Sequence, residues 1–474
     1  MKRFLPTSGL YTDFYELTMA HGYFCAGMAE SVACFDYFFR TNPFGGGYTL
    51  FAGLDDLLEV LENLRFEPED LDFLASRNFQ RDFLDWLQGF RFRGEIASMR
   101  EGEVVFPGEP VARVTASIIE AQLIETVLLN LLNFQSLIAT KAARIVLAAE
   151  GRPVVDFGLR RAQGLGGMHA SRAAAIGGVN ATSNVQAALQ YGIEPSGTMA
   201  HSWVQSFPDE LTAFRKFAEV FPDHCVLLLD TYDTLRSGLP NAITVAHELE
   251  RAGRKLAGIR LDSGDLAWLS KQARARLDEA GAGYVKIIAS NRLDEYVVRS
   301  LIEQGAEIDS FGVGTSLVIG ASDGALDGIY KLCELDGSPR LKISENEAKT
   351  SLPGRKEVVR YRSGGGCFAA DAVTCAGEAD LREMQHPLFR RRRSLLDPAT
   401  GEPLLRGVMR DGRRLSGPLP LREIAAYAKQ RLALLPPEFQ RFENPHIYRV
   451  GISDKLATLR QDLLDDVRAR ISEG

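Results

Sequence analysis

The stretch from Gly258 to Leu266 carries an apolar strand, Leu256 to Leu261, into a polar end made of Arg260, Asp262, Ser263, Gly264 and Asp265. A guanidinium forks onto phosphate, carboxylates take sugar hydroxyls or the waters of a divalent cation, and glycine lets the backbone approach a ligand. Together these residue types suit a ligand that combines phosphates, sugar hydroxyls and Mg²⁺. The competing use of the same residues is structural, as an Arg–Asp pair capping a helix that begins near Leu266.

Recurrence favours chemistry. Val154 to Gly158 is followed by Arg160 and Arg161, Gly197 to Ala200 by His201, and Val226 to Leu229 by Asp230-Thr231-Tyr232-Asp233. Val285 to Ala289 runs into Ser290-Asn291, and Phe311-Gly312-Val313-Gly314 into Thr315-Ser316. These ends recur about every 25 to 45 residues with helical spacing between them, the size of a strand-loop-helix unit. Polar groups after strand upon strand are the layout of a β/α barrel, whose ligands sit on loops at the carboxyl ends of the strands. A doubly wound open sheet is the main competitor, but it concentrates its ligand loops at one switch point.

The elements that position these ends fall into three expected regions. Residues 1–118 read as an α+β domain, with helical spacing over Leu54 to Leu64 and Phe73 to Leu87 and short strands between Phe92 and Thr115 around Pro-Gly turns. Residues 119–340 read as the barrel, entered through one long apolar helix or two over Ile118 to Ala149. Residues 341–474 form a C-terminal region packing with the first domain, closed by an amphipathic helix from Asp454 to Ile471.

At 474 residues, 45% hydrophobic and 25% charged, the chain can bury a large core. A net charge of -7 argues against non-specific nucleic-acid binding, and Arg390 to Arg393 is read as a solvated loop or helix end. The six cysteines show no CxxC spacing, so neither zinc nor a disulfide framework is indicated. With no apolar run of transmembrane length and no signal-like amino terminus, no membrane association is expected and a reducing cytoplasm is the expected location.

In this order the motifs resemble the nicotinate phosphoribosyltransferase family. The resemblance rests on Tyr11 to Met19, Phe39-Arg40 with Pro43 to Tyr48, Phe51 to Leu54, Asp156 to Arg161, Gly197 to Ser202, Asp230 to Thr234, the 258–266 run, and Lys349-Thr350 with Pro353 to Lys356. It implies an irregular, type II phosphoribosyltransferase-like β/α barrel and transfer of a phosphoribosyl group from phosphoribosyl pyrophosphate to nicotinate. The products would be nicotinate mononucleotide and pyrophosphate, with Mg²⁺ as cofactor and ATP as co-substrate, in NAD salvage. A nicotinamide- or quinolinate-using relative and a non-catalytic ligand-binding barrel are the alternatives.

The resemblance also implies roles. His201 matches the histidine phosphorylated from ATP, which accounts for ATP use without the Gly-x-x-x-x-Gly-Lys-Ser/Thr loop that the sequence lacks. Imidazole can accept a phosphoryl group at neutral pH. Arg160 and Arg260 are candidates for pyrophosphate and carboxylate, in either order. Asp262 would hold ribose hydroxyls beside Ser263 and Gly264, and Asp230 or Asp265 would orient Mg²⁺ waters. Gly312 and Gly314, next to Thr315, would offer amides to the 5′-phosphate, with Lys331 adding charge. Phe157 would stack on the pyridine, and Tyr15, beside Asp13, would stack from the neighbouring subunit of a homodimer. Ser183 stands where the nicotinamide enzyme carries an acid, so a neutral hydroxyl there favours nicotinate. Arg40 and Gly45-Gly46-Gly47 are either a flexible loop or a reach into the partner's site.

Overall fold

The structure is a computed structural model that describes residues 5–344, 350–389 and 391–473. Lys349 of the motif above and Arg390 of the basic run lie outside these residues. The described chain divides into two compact units, one spanning residues 141–324 and the other residues 2–140 with 325–474.

The first unit is built on seven parallel strands: β1 (Val154–Asp156), β2 (Ala181–Thr182), β3 (Glu194–Pro195), β4 (Val226–Leu228), β5 (Gly258–Leu261), β6 (Lys286–Ser290) and β7 (Ser310–Val313). Their order is β3-β2-β1-β7-β6-β5-β4. Sequence order therefore runs round the sheet and β7 pairs back onto β1, with Gly312 opposite Val155. That return makes this a barrel rather than a doubly wound sheet. Between β3 and β4 no pairing closes the ring among the described residues, so the barrel is irregular.

Helices such as Leu239–Arg251 and Leu266–Glu279 cover the sheet, with Leu227, Ile259 and Ile287 from the strands packed against Leu239, Ala242, Ala273 and Leu277. Near-continuous apolar strands between amphipathic helices are what a parallel sheet buried on both faces requires. Gly197–Ala200, expected as a strand, is not one. Pairing stops at Pro195, and the segment runs extended into the helix His201–Gln205. The last bond between β2 and β3 runs from Ser196 N–H to Thr182 O at 2.9 Å, where β2 itself ends.

The second unit interleaves the two ends of the chain. An antiparallel sheet has the order 338–339, 328–335, 32–39, 112–117, 95–98, 406–410 and 413–414, and a mixed sheet joins 356–362, 368–375 and 402–403 to 383–385, 393–395 and 450–452. Its boundaries differ from those expected at 118/119 and 340/341. Leu128, Leu131 and Leu132 join a core with Phe51 and Leu57, and the strand Gly328–Leu335 pairs with Val32–Phe39. The expected helix over Phe73 to Leu87 is two, Pro68–Ala75 and Arg81–Gln88, because Asn78 takes a left-handed conformation (φ 66°) between them.

Candidate functional site

At the carboxyl ends of β4 and β5, two carboxylates, an arginine and a histidine meet, in part through hydroxyl intermediaries. Arg260 leaves β5 and donates through Nη1 to Thr198 Oγ1 at 2.6 Å. Its Nη2 lies 3.8 Å from Asp262 Oδ1, and its guanidinium carbon is 6.0 Å from the Phe157 ring centroid. Nε is buried and has no hydrogen-bond partner. Burial lowers the Arg260 pKa, Asp262 and Asp230 oppose that shift, and the charge of Arg160 adds to it. Two guanidiniums that repel each other over a strand end are relieved by an anion bound between them.

Asp230, just beyond β4, accepts from the backbone N–H of Asp262 at 3.2 Å and from the Ser263 hydroxyl, both through Oδ2. Its Oδ1 is buried and accepts nothing. A carboxylate oxygen left without a donor costs free energy that a cation-bound water recovers, so Asp230 fits the expected Mg²⁺ water site. Asp265 is exposed and its Oδ1 caps the helix Leu266–Glu279 by accepting from Trp268 N–H at 3.0 Å. The capping alternative therefore holds for Asp265, though not for the Arg260–Asp262 pair. Among the described residues no cluster of three or more His, Cys, Asp or Glu could hold a metal outright, so the cation's remaining ligands would come from substrate oxygens and water.

His201 opens the helix His201–Gln205, which lies between β3 and β4 in the chain. Its Nδ1 lies 3.2 Å from Thr231 Oγ1 and its Nε2 3.9 Å from Asp262 Oδ2, and its side chain is 42% exposed. The Thr231 contact holds the ring while leaving Nε2 accessible, and Asp262 is itself held by a hydrogen bond from the Ser290 hydroxyl. Directly after Ser290, Asn291 (φ 82°) and Arg292 (φ 51°) are both left-handed, a costly pair for residues with side chains.

On the other side of the ring, Asp156 is buried and accepts from Gly158 N–H at 2.8 Å, Ser171 Oγ at 2.8 Å and Thr182 Oγ1 at 2.7 Å. These bonds fix the turn that presents Phe157. Ser183 is half-buried after β2 and donates its N–H to Asp156 O at 2.8 Å, while Arg160 is exposed in a short turn. Gly312 lies inside the ladder between β6 and β1, where a Cβ would come 2.3 Å from Phe157 Cε2. Its missing side chain makes room for the aromatic ring. Gly314 precedes the short helix Thr315–Val318, with Thr315 exposed, and Gly264 takes φ 80° in the turn after β5. Gly312→Ala should lower stability by about 1–3 kcal/mol through overpacking against Phe157. An unchanged urea midpoint would show that the ring does not need that space.

The sequence reading missed Thr198, Thr231 and Ser290 as functional positions. The available signal was a hydroxyl beside a charged residue at each strand end, but which charge each would hold depends on neighbouring strands.

Asp13, Tyr15 and Lys331 belong to the second unit. Asp13 stands at the N-cap of the helix Phe14–Cys25, whose Phe14, Tyr15 and Met19 are exposed, as is Tyr11 ahead of it. Burial and then Glu125 push the Tyr15 hydroxyl pKa upward. Lys331 sits opposite Asp36 in the antiparallel sheet. Glu16 is fully buried and has Thr126 Oγ1 at 2.6 Å. Burial pushes its pKa from 4.5 up to about 7, against the pull of the Thr12 and Thr126 hydroxyls. The folded chain therefore holds a proton that the unfolded chain releases, and stability falls as pH rises from about 4.5 to about 7. Glu16→Gln should flatten that slope in melting temperature against pH; a slope equal to wild type would place the titration elsewhere.

An irregular ring of parallel strands that gathers arginine, carboxylates and an aromatic side chain at its carboxyl ends is the architecture of the type II phosphoribosyltransferase class. Family models for nicotinate phosphoribosyltransferase match residues 10–133 (N-terminal domain), 153–365 (the family itself) and 355–460 (C-terminal domain). The chain is 42% identical to the nicotinate phosphoribosyltransferase of Bacillus subtilis, covering 98% of this chain and 96% of that one. It is 44% identical to a nicotinate phosphoribosyltransferase of Mycobacterium tuberculosis, over 94% and 92% of the two chains. The crystal structure of human nicotinic acid phosphoribosyltransferase superposes with a TM-score of 0.86 at 33% identity, over 95% of this chain and 99% of that one. The chain belongs to the nicotinate phosphoribosyltransferase family.

Proposed function

We propose that the chain transfers the phosphoribosyl group of phosphoribosyl pyrophosphate to nicotinate in NAD salvage, in the cytoplasm, with ATP hydrolysis coupled through a phosphohistidine at His201. The observation that carries this reading is the Arg260–Asp262–His201–Asp230 cluster at the ends of β4 and β5, in a chain that matches the family along nearly its whole length.

The pyridine nitrogen attacks the anomeric carbon as the bond to pyrophosphate breaks, with positive charge developing on the ribose. No protein nucleophile is needed, so rate comes from positioning and charge. Asp262, held by Ser290, binds ribose hydroxyls beside Ser263 and Gly264, and its charge lies close to the sugar that becomes cationic. Arg260 and Arg160 take the pyrophosphate and the nicotinate carboxylate, in either order. Phe157 stacks on the pyridine, and the neutral Ser183 tolerates a carboxylate that an acid there would repel. Gly314 and Thr315 face the 5′-phosphate together with Gly312. Mg²⁺, when bound, neutralises pyrophosphate charge. Asp230 Oδ1 would hold one of its waters, and Asp265, whose Oδ1 caps a helix, would hold another through its second oxygen.

At His201, Nε2 forms a bond to the γ-phosphorus of ATP as the bond to the β-phosphate oxygen breaks and ADP leaves; water later takes the phosphoryl group. The exposed aromatic side of the helix Phe14–Cys25 supports a homodimer in which Tyr15 and Asp13 complete the partner's site, with Lys331 adding positive charge. The test is mononucleotide formation from phosphoribosyl pyrophosphate with nicotinate or nicotinamide, each with and without ATP. Nicotinate-dependent product that rises with ATP is expected. Product from nicotinamide alone would overturn the acceptor assignment, and none from either would overturn the transfer.

A further inference from the structure

Two residues beyond β6 lie in the left-handed region, Asn291 (φ 82°) and Arg292 (φ 51°), directly after the Ser290 whose hydroxyl donates to Asp262. Both side chains are exposed, so burial does not hold them there. Residues with a Cβ relax out of this region unless their neighbours are fixed. On the amino-terminal side the anchor is the ladder, where Ser290 pairs with Gly312 of β7.

On the carboxyl-terminal side the anchor is a buried charge cluster. Glu295, the first residue of the helix Glu295–Glu303, is fully buried. Its two oxygens accept from different side chains of the helix Glu125–Ala148, Oε1 from Arg144 Nε at 2.9 Å and Oε2 from Lys141 Nζ. The side chains of Lys141 and Arg144 are only 3% and 1% exposed. Asp294 caps its own helix by accepting from the N–H groups of Tyr296 at 3.0 Å and Val297 at 2.9 Å. Ser316, in the helix Thr315–Val318, donates its hydroxyl to the Leu293 carbonyl. The three residues that follow the left-handed pair are thus pinned by bonds within three different helices.

We propose that Lys141, Arg144 and Glu295 are positioning residues for phosphoribosyl transfer: they hold the Asn291–Arg292 turn in its left-handed form, so that Ser290 keeps Asp262 aimed at the ribose. The inference rests on the role given to Asp262 above. A buried charge cluster costs desolvation that apolar residues would avoid, and a fixed geometry at the turn is what it supplies. All three residues act through Ser290 rather than on substrate.

A double-mutant cycle between Lys141→Met and Ser290→Ala tests this on the full-length chain. Lys141→Met leaves Glu295 paired with Arg144, so the buried carboxylate keeps a cation. Ser290→Ala should raise KM for phosphoribosyl pyrophosphate and lower kcat/KM about tenfold, as expected for one lost hydrogen bond to a charged group. Lys141→Met should cost about fivefold, and the double variant should fall no further than Ser290→Ala, because residues acting through one bond are non-additive. The KM for nicotinate should stay at its wild-type value in all three. Additive losses, or wild-type kinetics in Lys141→Met, overturn the proposal. Hydrogen exchange of the ligand-free chain reads the same coupling without turnover. Lys141→Met should speed exchange about threefold in peptides covering 288–294 and, through Ser290, in 260–265. Faster exchange confined to peptides covering 141 and 295–303 overturns it. If wild type makes no mononucleotide, the transfer reading fails and the exchange result alone decides the positioning. Should Lys141→Met not fold, Ser316→Ala, which releases only the Leu293 carbonyl, takes its place with the same outcomes.

Discussion

Arg260→Ala should lower kcat/KM for phosphoribosyl transfer about a thousandfold, close to 4 kcal/mol of transition-state stabilisation, the cost expected for losing one preorganised charged donor in a site that excludes water. The side chain is only 14% exposed, Thr198 holds Nη1, and buried Nε has no partner in the chain, so the guanidinium is both fixed and unsatisfied. Arg260→Lys should recover less than a tenth of the loss, because one ammonium cannot keep the Thr198 bond and also present a fork to the anion. Thr198→Val, which removes only the tether, should cost about tenfold, in line with one lost hydrogen bond to a charged group. Steady-state kinetics beside a melting curve decides the matter. If Arg260→Lys restores wild-type rates, the fork is irrelevant; if Arg260→Ala changes melting as much as rate, the residue is structural.

His201→Ala should abolish the ATP-dependent part of the rate and leave the basal transfer in place. Coupling between two ligands typically amounts to 1–3 kcal/mol, so a stimulation of about 5–150-fold should collapse to none. Radiolabel from γ-labelled ATP should appear on the wild-type chain as an acid-labile phosphate and be absent from the variant. Thr231→Val should slow labelling without abolishing it, since Thr231 only orients the ring through Nδ1. Loss of basal transfer as well would mean that the imidazole serves the sugar transfer directly through its approach to Asp262. Retained ATP stimulation would remove His201 from the phosphoryl path.

The strand-by-strand recurrence of polar ends made the barrel legible from the chain. Each β/α unit writes its own apolar run and its own terminal residues, both local features. The short strand Ala181–Thr182 escaped notice, because two residues carry no periodicity and only pairing with β1 and β3 makes them a strand. The end of β3 was misjudged for the converse reason: Gly197 to Ala200 looks extended, and only the absence of a pairing neighbour keeps it out of the sheet.

Residue types at the site were likewise set by the sequence, which supplied the arginine, the carboxylates, the histidine and the glycines at the ends of strands. Tertiary structure decided their division of labour. Asp230 and Asp265 are equivalent as letters, yet Asp230 keeps a buried oxygen without a donor while Asp265 caps a helix. Gly312, expected to offer an amide, also leaves room for the Phe157 ring, which no local feature of the sequence announces. The segment after Gly364 had no readable motif; its Asp371 is buried only by pairing with Arg360, whose other partner, Glu103, is far away in the chain. Residue type and local spacing determine what chemistry is available; which atom is left unsatisfied depends on packing between segments distant in sequence.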